Sequence, residues 1–229
     1  MPLWSHDAGR LTQALRQRLP GAAAYLHGSA ALGGFTSASD LDVLVISDAV
    51  HSPDDMARTL LGLSLDHPLE LSVVSTDAAR TPRAPWPYLL HVATPDRRVL
   101  DTGTGDTDLI AHYAVTLQSG IPLIGPPPAH LIGPVDHATL LAHLAGELGW
   151  GLDHADHRYA VLNACRAVVA ARQGRLVSKV EGGRWWLTHR GEEPLVRQAL
   201  AAQETGHDLG PSTPAARAFV KRAAGELTA

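Results

Sequence analysis

LHGSAALGGFTSASDLDVLV, residues 26–45, is the stretch that decides the fold of the first half of the chain. A loop of small residues begins at Gly28-Ser29, and after a spacer of ten residues Asp40 and Asp42 enter a run of leucine and valine. Side chains alternate between the two faces of a strand, so both carboxylates are predicted to point the same way, about 7 Å apart by Cα. Leu41, Val43 and Val45 point to the opposite face, toward a core.

The pair of aspartates indicates a cation site. Two like charges side by side repel each other unless a cation neutralises them, and Mg²⁺ takes one or two carboxylates together with phosphate oxygens. The Gly28-Ser29 turn can offer backbone N–H groups and a hydroxyl to a phosphate. Glu70 opens the next apolar strand, and if that strand lies beside the first, three carboxylates converge. The alternative interpretation is structural: Asp40 caps a turn, and Asp42 and Glu70 lie on a solvated face of the sheet.

Helix and strand patterns alternate in the first half of the chain, whereas the second half is helical. Predicted helices cover residues 7–19, 53–63 and 108–118, and predicted strands cover residues 22–26, 40–47 and 69–75. A proline-rich segment at 120–135 is predicted to be an extended connector, and helical segments follow it. We therefore predict an α/β domain, with a mixed sheet and flanking helices, over residues 1–130, and an all-α helical bundle over residues 131–229.

Bulk properties narrow the function classes. The chain has 229 residues, one cysteine and a formal net charge of −4, so intramolecular disulfides are excluded and binding to bulk nucleic acid is disfavoured. The start of the chain lacks the pattern of a signal peptide, and no run of about 18 apolar residues occurs. We expect a cytoplasmic protein, a monomer, with neither membrane nor nucleic-acid partners.

The pattern GS-x10-DLDVLV resembles the signature of the nucleotidyltransferase superfamily. Within it, residues 26–45 are similar to the aminoglycoside adenylyltransferases that modify streptomycin and spectinomycin. Their version has an aromatic residue where this chain has His27, a Gly-Gly pair matching Gly33-Gly34, and a serine matching Ser39. The strand LELSVV, which contains Glu70, also matches that family.

The resemblance extends into the helical half. RYAVLNACRAVVAARQGRLVSKVEGGRWW, residues 158–186, is similar to a helix-turn-helix of the same family, with Arg166, Gly174, Lys179 and Trp185 on matching positions. The family folds as a nucleotidyltransferase domain followed by a helical, substrate-binding domain. This division agrees with the one drawn from the residue pattern alone.

The resemblance implies roles for specific residues. Asp40 and Asp42 are expected to hold two Mg²⁺ ions, and Glu70 is expected to be the general base that takes the proton of the acceptor hydroxyl. The triphosphate of ATP is expected to be bound by a set of small residues and one cation, namely Gly28, Ser29, Ser39 and Lys179.

An acceptor site is expected in GWGLDHADHRY, residues 149–159. An aminoglycoside is polycationic, so carboxylates and an aromatic wall suit it, and this stretch supplies Trp150, Asp153 and Asp156. In the family, a tryptophan followed by two acids occupies a loop between helices. The tryptophan and the first acid are associated with enzymes that accept streptomycin as a substrate. This chain departs from the family pattern in three ways. The spacing between the tryptophan and the acids is shorter, a second substrate-contacting tryptophan of the family is absent, and Val180 replaces the acid that follows the family's Ser-Lys pair.

The predicted function is transfer of AMP from ATP to a hydroxyl of streptomycin or spectinomycin, which confers antibiotic resistance. Two alternatives stay open. One is a nucleotidyltransferase acting on another small acceptor, such as a lincosamide or a metabolite. The other is a nucleotidyltransferase that modifies a partner protein, in the manner of antitoxin-type members of the superfamily.

Overall fold

The computed structural model describes residues 1–94, 97–99 (backbone only) and 103–227. Within these residues the chain forms two compact units, and the second begins at Asp136. The first unit combines a sheet with helices and the second is all-helical, so the predicted fold class is confirmed. No helix among the described residues has the length and apolar character needed to cross a lipid bilayer.

A six-stranded mixed sheet forms the centre of the first unit. Its strands, in chain order, are β1 (Ala23–Leu26), β2 (Leu41–Ile46), β3 (Leu69–Val74), β4 (Leu90–Ala93), β5 (Arg97–Val99) and β6 (Ile121–Ile124). In space they run β5-β4-β3-β2-β1-β6. The central strands β2 and β3 are parallel, and every other neighbouring pair is antiparallel.

Among the described residues of this unit, five α-helices accompany the sheet: α1 (Ser5–Arg18), α2 (Gly28–Ala31), α3 (Pro53–Leu61), α4 (Thr76–Arg80) and α5 (Leu109–Ser119). Apolar residues of α1 and α3 pack against one face of β2 and β3 and form the main core. The opposite face is also largely buried, because Leu44, Ile46 and Val74 on that face are inaccessible and α5 contacts β2. The acids Asp42 and Glu70 are therefore restricted to the partly exposed beginning of each strand.

Three strands were not anticipated from the sequence. β4 and β5 follow the proline-rich loop at residues 81–88, where no strand was predicted. The segment at 120–135 was predicted to be an extended connector, but its first residues form β6, which pairs with β1 at the edge of the sheet, and Pro128–His130 form a short 3-10 helix. Pro122 lies in β6, and an edge strand tolerates proline because one side of its backbone needs no partner.

A buried carboxylate ties α1 to the turn that leads into β3. Asp7 is inaccessible to solvent, and its oxygens accept hydrogen bonds from the Asp66 N–H (2.9 Å), the His67 N–H (3.1 Å) and the His67 ring (2.7 Å). Burial by itself raises the pKa of Asp7, but these hydrogen bonds outweigh it and the pKa is lowered overall. The edge of Phe35 packs on the His67 ring, 4.8 Å between centroids.

The second unit is built around one buried helix. Its helices are α6 (His137–His154), α7 (His157–Gln173), α8 (Lys179–His189), α9 (Pro194–Thr205) and α10 (Pro214–Gly225). All four of the others contact α7, which is buried over most of its length. Gly174 ends α7 in a left-handed conformation, φ +65°, as its position after the helical pattern predicts.

Two adjacent glycines allow α8 to approach α7 closely. A Cβ atom added at Gly182 would lie 2.8 Å from the backbone nitrogen of Arg166. One added at Gly183 would lie 2.9 Å from Leu162 and 2.8 Å from Leu200. Real Cβ atoms do not make contacts this short, so the Gly-Gly pair is required by the packing of these helices.

Candidate active site

The turn between β1 and β2 is built around the carboxylate of Asp42. Gly28 begins α2 with φ +53°, and a Cβ atom added there would lie 1.8 Å from Asp42 Oδ2. The Ser29 N–H donates to the same oxygen at 3.4 Å, and the His27 N–H donates to the carbonyl of Asp42 at 3.0 Å. A glycine is thus needed at position 28 both for its backbone conformation and for the space that the carboxylate fills.

Asp42 and Glu70 are direct neighbours in the sheet. β2 and β3 pair in parallel with Asp42 opposite Glu70, so both side chains leave the same face. Partial burial and the negative charge of Glu70 raise the pKa of Asp42 to about 6. The structure therefore brings these two predicted site residues together, in an arrangement whose electrostatic cost a bound cation would relieve.

Both aspartates were predicted to lie within the strand, but β2 begins at Leu41 and Asp40 lies just before it. Pairing of β2 with β3 begins at Leu41, whose N–H donates to the carbonyl of Pro68 at 2.7 Å. Pro68 has no N–H, so the ladder cannot extend one rung further toward Asp40. Asp40 is exposed, and its charge contributes to the raised pKa of Asp42, so the two carboxylates do interact electrostatically.

The two predicted phosphate-binding serines have different surroundings. The hydroxyl oxygen of Ser29 is buried and has no hydrogen-bond partner among the described residues. Ser39 organises the loop before β2: its hydroxyl accepts from the Thr36 N–H at 3.0 Å and lies 3.3 Å from the Thr36 hydroxyl. An unsatisfied buried hydroxyl beside a glycine turn can donate to a phosphate oxygen.

A pair of histidines whose rings pack together next to this turn was not predicted from the sequence. The rings of His27 and His112 lie 4.6 Å apart, inclined at 36°. Burial, together with the charge of His112, lowers the pKa of His27 well below its usual value, so this ring stays neutral and packs as an aromatic group. The sequence did give a reason to expect a ring at position 27, since the resembling family has an aromatic residue there. His112 carried none, because it is on α5, far along the chain, and no local motif marks it.

The predicted acceptor residues lie at the junction of α6 and α7. The helical pattern in the sequence ended at Trp150, and the family resemblance placed Trp150 and Asp153 in a loop; α6 instead continues to His154 and includes both. Trp150 is 49% exposed and stacks on His154 with 5.2 Å between ring centroids. Asp153 is exposed and forms an ion pair of 2.9 Å with Arg217.

Asp156 has a structural role as the cap of α7. One of its oxygens accepts from the Tyr159 N–H at 2.9 Å, and the other accepts from the Arg158 guanidinium at 3.0 Å. Lys179 is the first residue of α8, and its ammonium lies 4.2 Å from the centroid of the Tyr159 ring. These residues of the second unit thus form one cluster around Tyr159.

Two family models match the chain. The model of the nucleotidyltransferase domain matches residues 9–77, and that of the aminoglycoside adenylyltransferase C-terminal domain matches residues 130–226. Together they cover well over half of the sequence. The chain belongs to the aminoglycoside adenylyltransferases. It is accordingly a nucleotidyltransferase, as the sequence predicted.

Among the solved structures that resemble this aminoglycoside adenylyltransferase, one matches it over nearly its whole length. It is the crystal structure of the spectinomycin adenyltransferase AAD(9) from Enterococcus faecialis with ATP and spectinomycin. The TM-score is 0.73, and the match covers 98% of this chain and 99% of the other at 14% sequence identity. The two proteins therefore share a fold. No curated protein sequence matches the chain significantly.

Proposed function

We propose that this chain transfers AMP from ATP to a hydroxyl of an aminoglycoside-type antibiotic, streptomycin or spectinomycin, and thereby confers resistance. The observation that carries the proposal is the pairing of Asp42 with Glu70 beside the Gly28-Ser29 turn. The proposed cation ligands, Asp40 and Asp42, and the proposed base, Glu70, lie in the first unit. Acceptor binding belongs to the second unit, which contains the match to the aminoglycoside adenylyltransferase C-terminal domain.

The carboxylates fit divalent cations. Asp40 and Asp42 would hold two Mg²⁺ ions, and the raised pKa of Asp42 supports this, because a cation would relieve the repulsion from Glu70. When bound, Mg²⁺ neutralises phosphate charge and stabilises both the attacking and the leaving oxygens. The hard oxygen ligands of this group suit Mg²⁺ better than they suit softer metals.

Glu70 would act as the general base. It takes the proton from the acceptor hydroxyl as that oxygen attacks the α-phosphorus of ATP, and the bond to pyrophosphate breaks. General base help of this kind contributes about 10²–10⁴-fold. Its place opposite Asp42 supports the role, because the base and the cation ligand leave the same face of the sheet.

The nucleotide would be bound by Gly28, Ser29, Ser39 and Lys179. The unsatisfied hydroxyl of Ser29 supports a phosphate contact at the turn, and the ammonium of Lys179 can pair with a phosphate oxygen.

The acceptor would be bound by Trp150, Asp153 and Asp156. The exposed indole of Trp150 offers a stacking surface, and an ammonium or guanidinium of the drug can replace Arg217 beside Asp153. Asp156 presents its carboxylate at the start of α7, where it also fixes the helix. We expect Trp150→Ala and Asp153→Asn to raise KM for streptomycin more than for spectinomycin.

The decisive experiment measures pyrophosphate release from ATP and Mg²⁺ with streptomycin, with spectinomycin and without an acceptor. Wild type is compared with Glu70→Gln, which keeps the shape of the side chain and removes its basicity. Drug-dependent release that falls at least about 100-fold in the variant supports the reaction and the base. If neither drug stimulates release although Mg²⁺-ATP binds, another small acceptor or a partner protein must be the substrate.

Resistance is tested separately in a sensitive bacterium. Expression of the wild-type chain should raise tolerance to streptomycin or spectinomycin, and expression of Glu70→Gln at the same level should not. Unchanged tolerance to both drugs, with folded protein present in the cells, would contradict the resistance role.

A further inference from the structure

The ring of Tyr159 contacts both groups of predicted ligand-binding residues in the second unit. The Lys179 ammonium lies 4.2 Å from its centroid, and the Trp150 ring meets it edge-on at 6.3 Å, inclined at 71°. Lys179 is predicted to bind the nucleotide and Trp150 to bind the acceptor, whereas no role is predicted for Tyr159. In the second unit, therefore, one side chain bridges the two.

The contact with Lys179 has a physical reason. Lys179 is the first residue of α8, where the helix dipole disfavours a positive charge. A cation over the face of an aromatic ring is stabilised by the electron density of the ring. The flexible lysine stem has many rotamers, so the ring restricts the ammonium to one region of space.

The Tyr159 ring is itself held firmly. Its backbone N–H is fixed by the Asp156 carboxylate at 2.9 Å, one turn into α7. On α6, Gly151 lies against the ring, since a Cβ atom added there would be in van der Waals contact with it at 3.4 Å. Trp150 packs against it from the same helix. A ring restrained on several sides is a rigid platform for a mobile ammonium.

We propose that Tyr159 is a positioning residue that holds the Lys179 ammonium ready for the nucleotide phosphates. This inference rests on the proposed function, because it takes the nucleotide to be the ligand of Lys179. The observation that supports the inference is the position of the Lys179 ammonium over the Tyr159 ring, 4.2 Å from its centroid. Tyr159 acts through Lys179 and makes no contact with the reacting atoms in this role.

The test measures the affinity of the Mg²⁺ complex of a non-hydrolysable ATP analogue by calorimetry, so it needs no acceptor. Lys179→Met and Tyr159→Leu are each expected to weaken binding, by about threefold to thirtyfold. The double variant Tyr159→Leu/Lys179→Met is expected to bind no more weakly than Lys179→Met. Tyr159→Phe keeps the ring and is expected to retain wild-type affinity.

A matched control removes another cation–π pair of the same unit. Arg222 lies 5.8 Å from the ring centroid of Phe219, and Arg222→Met should leave nucleotide affinity unchanged. Thermal melts of every variant check that it is folded.

Three outcomes would overturn the inference. Wild-type affinity in folded Tyr159→Leu would show that the lysine needs no platform. Equal weakening by Tyr159→Leu with and without Lys179 would indicate a merely structural role. If wild type binds the nucleotide and Lys179→Met does not weaken binding, the lysine has a different ligand. By contrast, wild type that binds no nucleotide at all would sink the proposed function itself, and the inference with it.

Discussion

Replacing Gly28 by alanine should disable the site with little effect on the rest of the fold. The added Cβ atom would lie 1.8 Å from Asp42 Oδ2, and real Cβ contacts are not shorter than 3.0 Å. The carboxylate must therefore retreat, and misplacement of a catalytic group by roughly 1 Å can cost about 100-fold in rate. The positive φ of +53° adds strain, about 1–2 kcal/mol for a residue with a side chain.

The assay for Gly28→Ala combines pyrophosphate release with the midpoint of thermal unfolding and with binding of Mn²⁺ as a spectroscopic substitute for Mg²⁺. The matched control is Gly21→Ala: Gly21 has φ +85°, but an added Cβ atom would meet nothing within 4 Å. Both variants should lose similar stability, whereas only Gly28→Ala should lose metal binding and turnover. Equal activity in the two variants would refute the steric argument.

Three further predictions concern stability. Because the pKa of Asp42 is raised to about 6, the folded metal-free protein holds a proton that the unfolded chain releases near 3.8, so its stability falls as pH rises between these values. Asp42→Asn should therefore raise the unfolding midpoint at pH 8 but not at pH 4, in the presence of a chelator; an equal effect at both pH values would contradict this. Asp7→Asn should cost about 3 kcal/mol of unfolding free energy at pH 7. The pKa of Asp7 is lowered on folding, so the stability difference between wild type and Asp7→Asn should shrink as pH falls below 4. Urea titrations measure this difference, and Asp77→Asn, at an exposed position, is the control expected to change stability little. Gly183→Ala should cost about 1–3 kcal/mol, whereas Gly146→Ala, in α6 with nothing near the added Cβ atom, should be neutral or stabilising; equal effects would argue against tight packing of α8 on α7.

Local patterns in the sequence identified most residues of the candidate site. The spacing between Gly28-Ser29 and Asp42 identified the turn and the strand that meet, and alternation along β3 placed Glu70 on the face opposite its apolar neighbours. Helix caps were equally readable, as at Gly174. These features depend on residues close together in the chain, where backbone geometry follows directly from residue type.

The limits of the sequence appear where distant segments pair. β4 pairs with residues Glu70 to Val73 of β3, and β6 pairs with β1. Each of these strands has only four residues, and a pattern that short does not predict a distant partner. His112 approaches His27 only because α5 covers the sheet. The end of α6 was also misplaced, since the helical pattern was ended at Trp150 whereas the helix continues to His154.

By itself the sequence determined the enzyme class of this protein and its helical second half, and it predicted the acids and the glycine turn of the candidate site. That was possible because strand alternation and turn conformation are local properties of the backbone. Only the tertiary structure decided the register that sets Asp42 opposite Glu70, the space that Gly28 leaves for the carboxylate, and the ring on which Lys179 rests. Those arrangements depend on the packing of segments far apart in the chain, and such packing is decided by the fold as a whole.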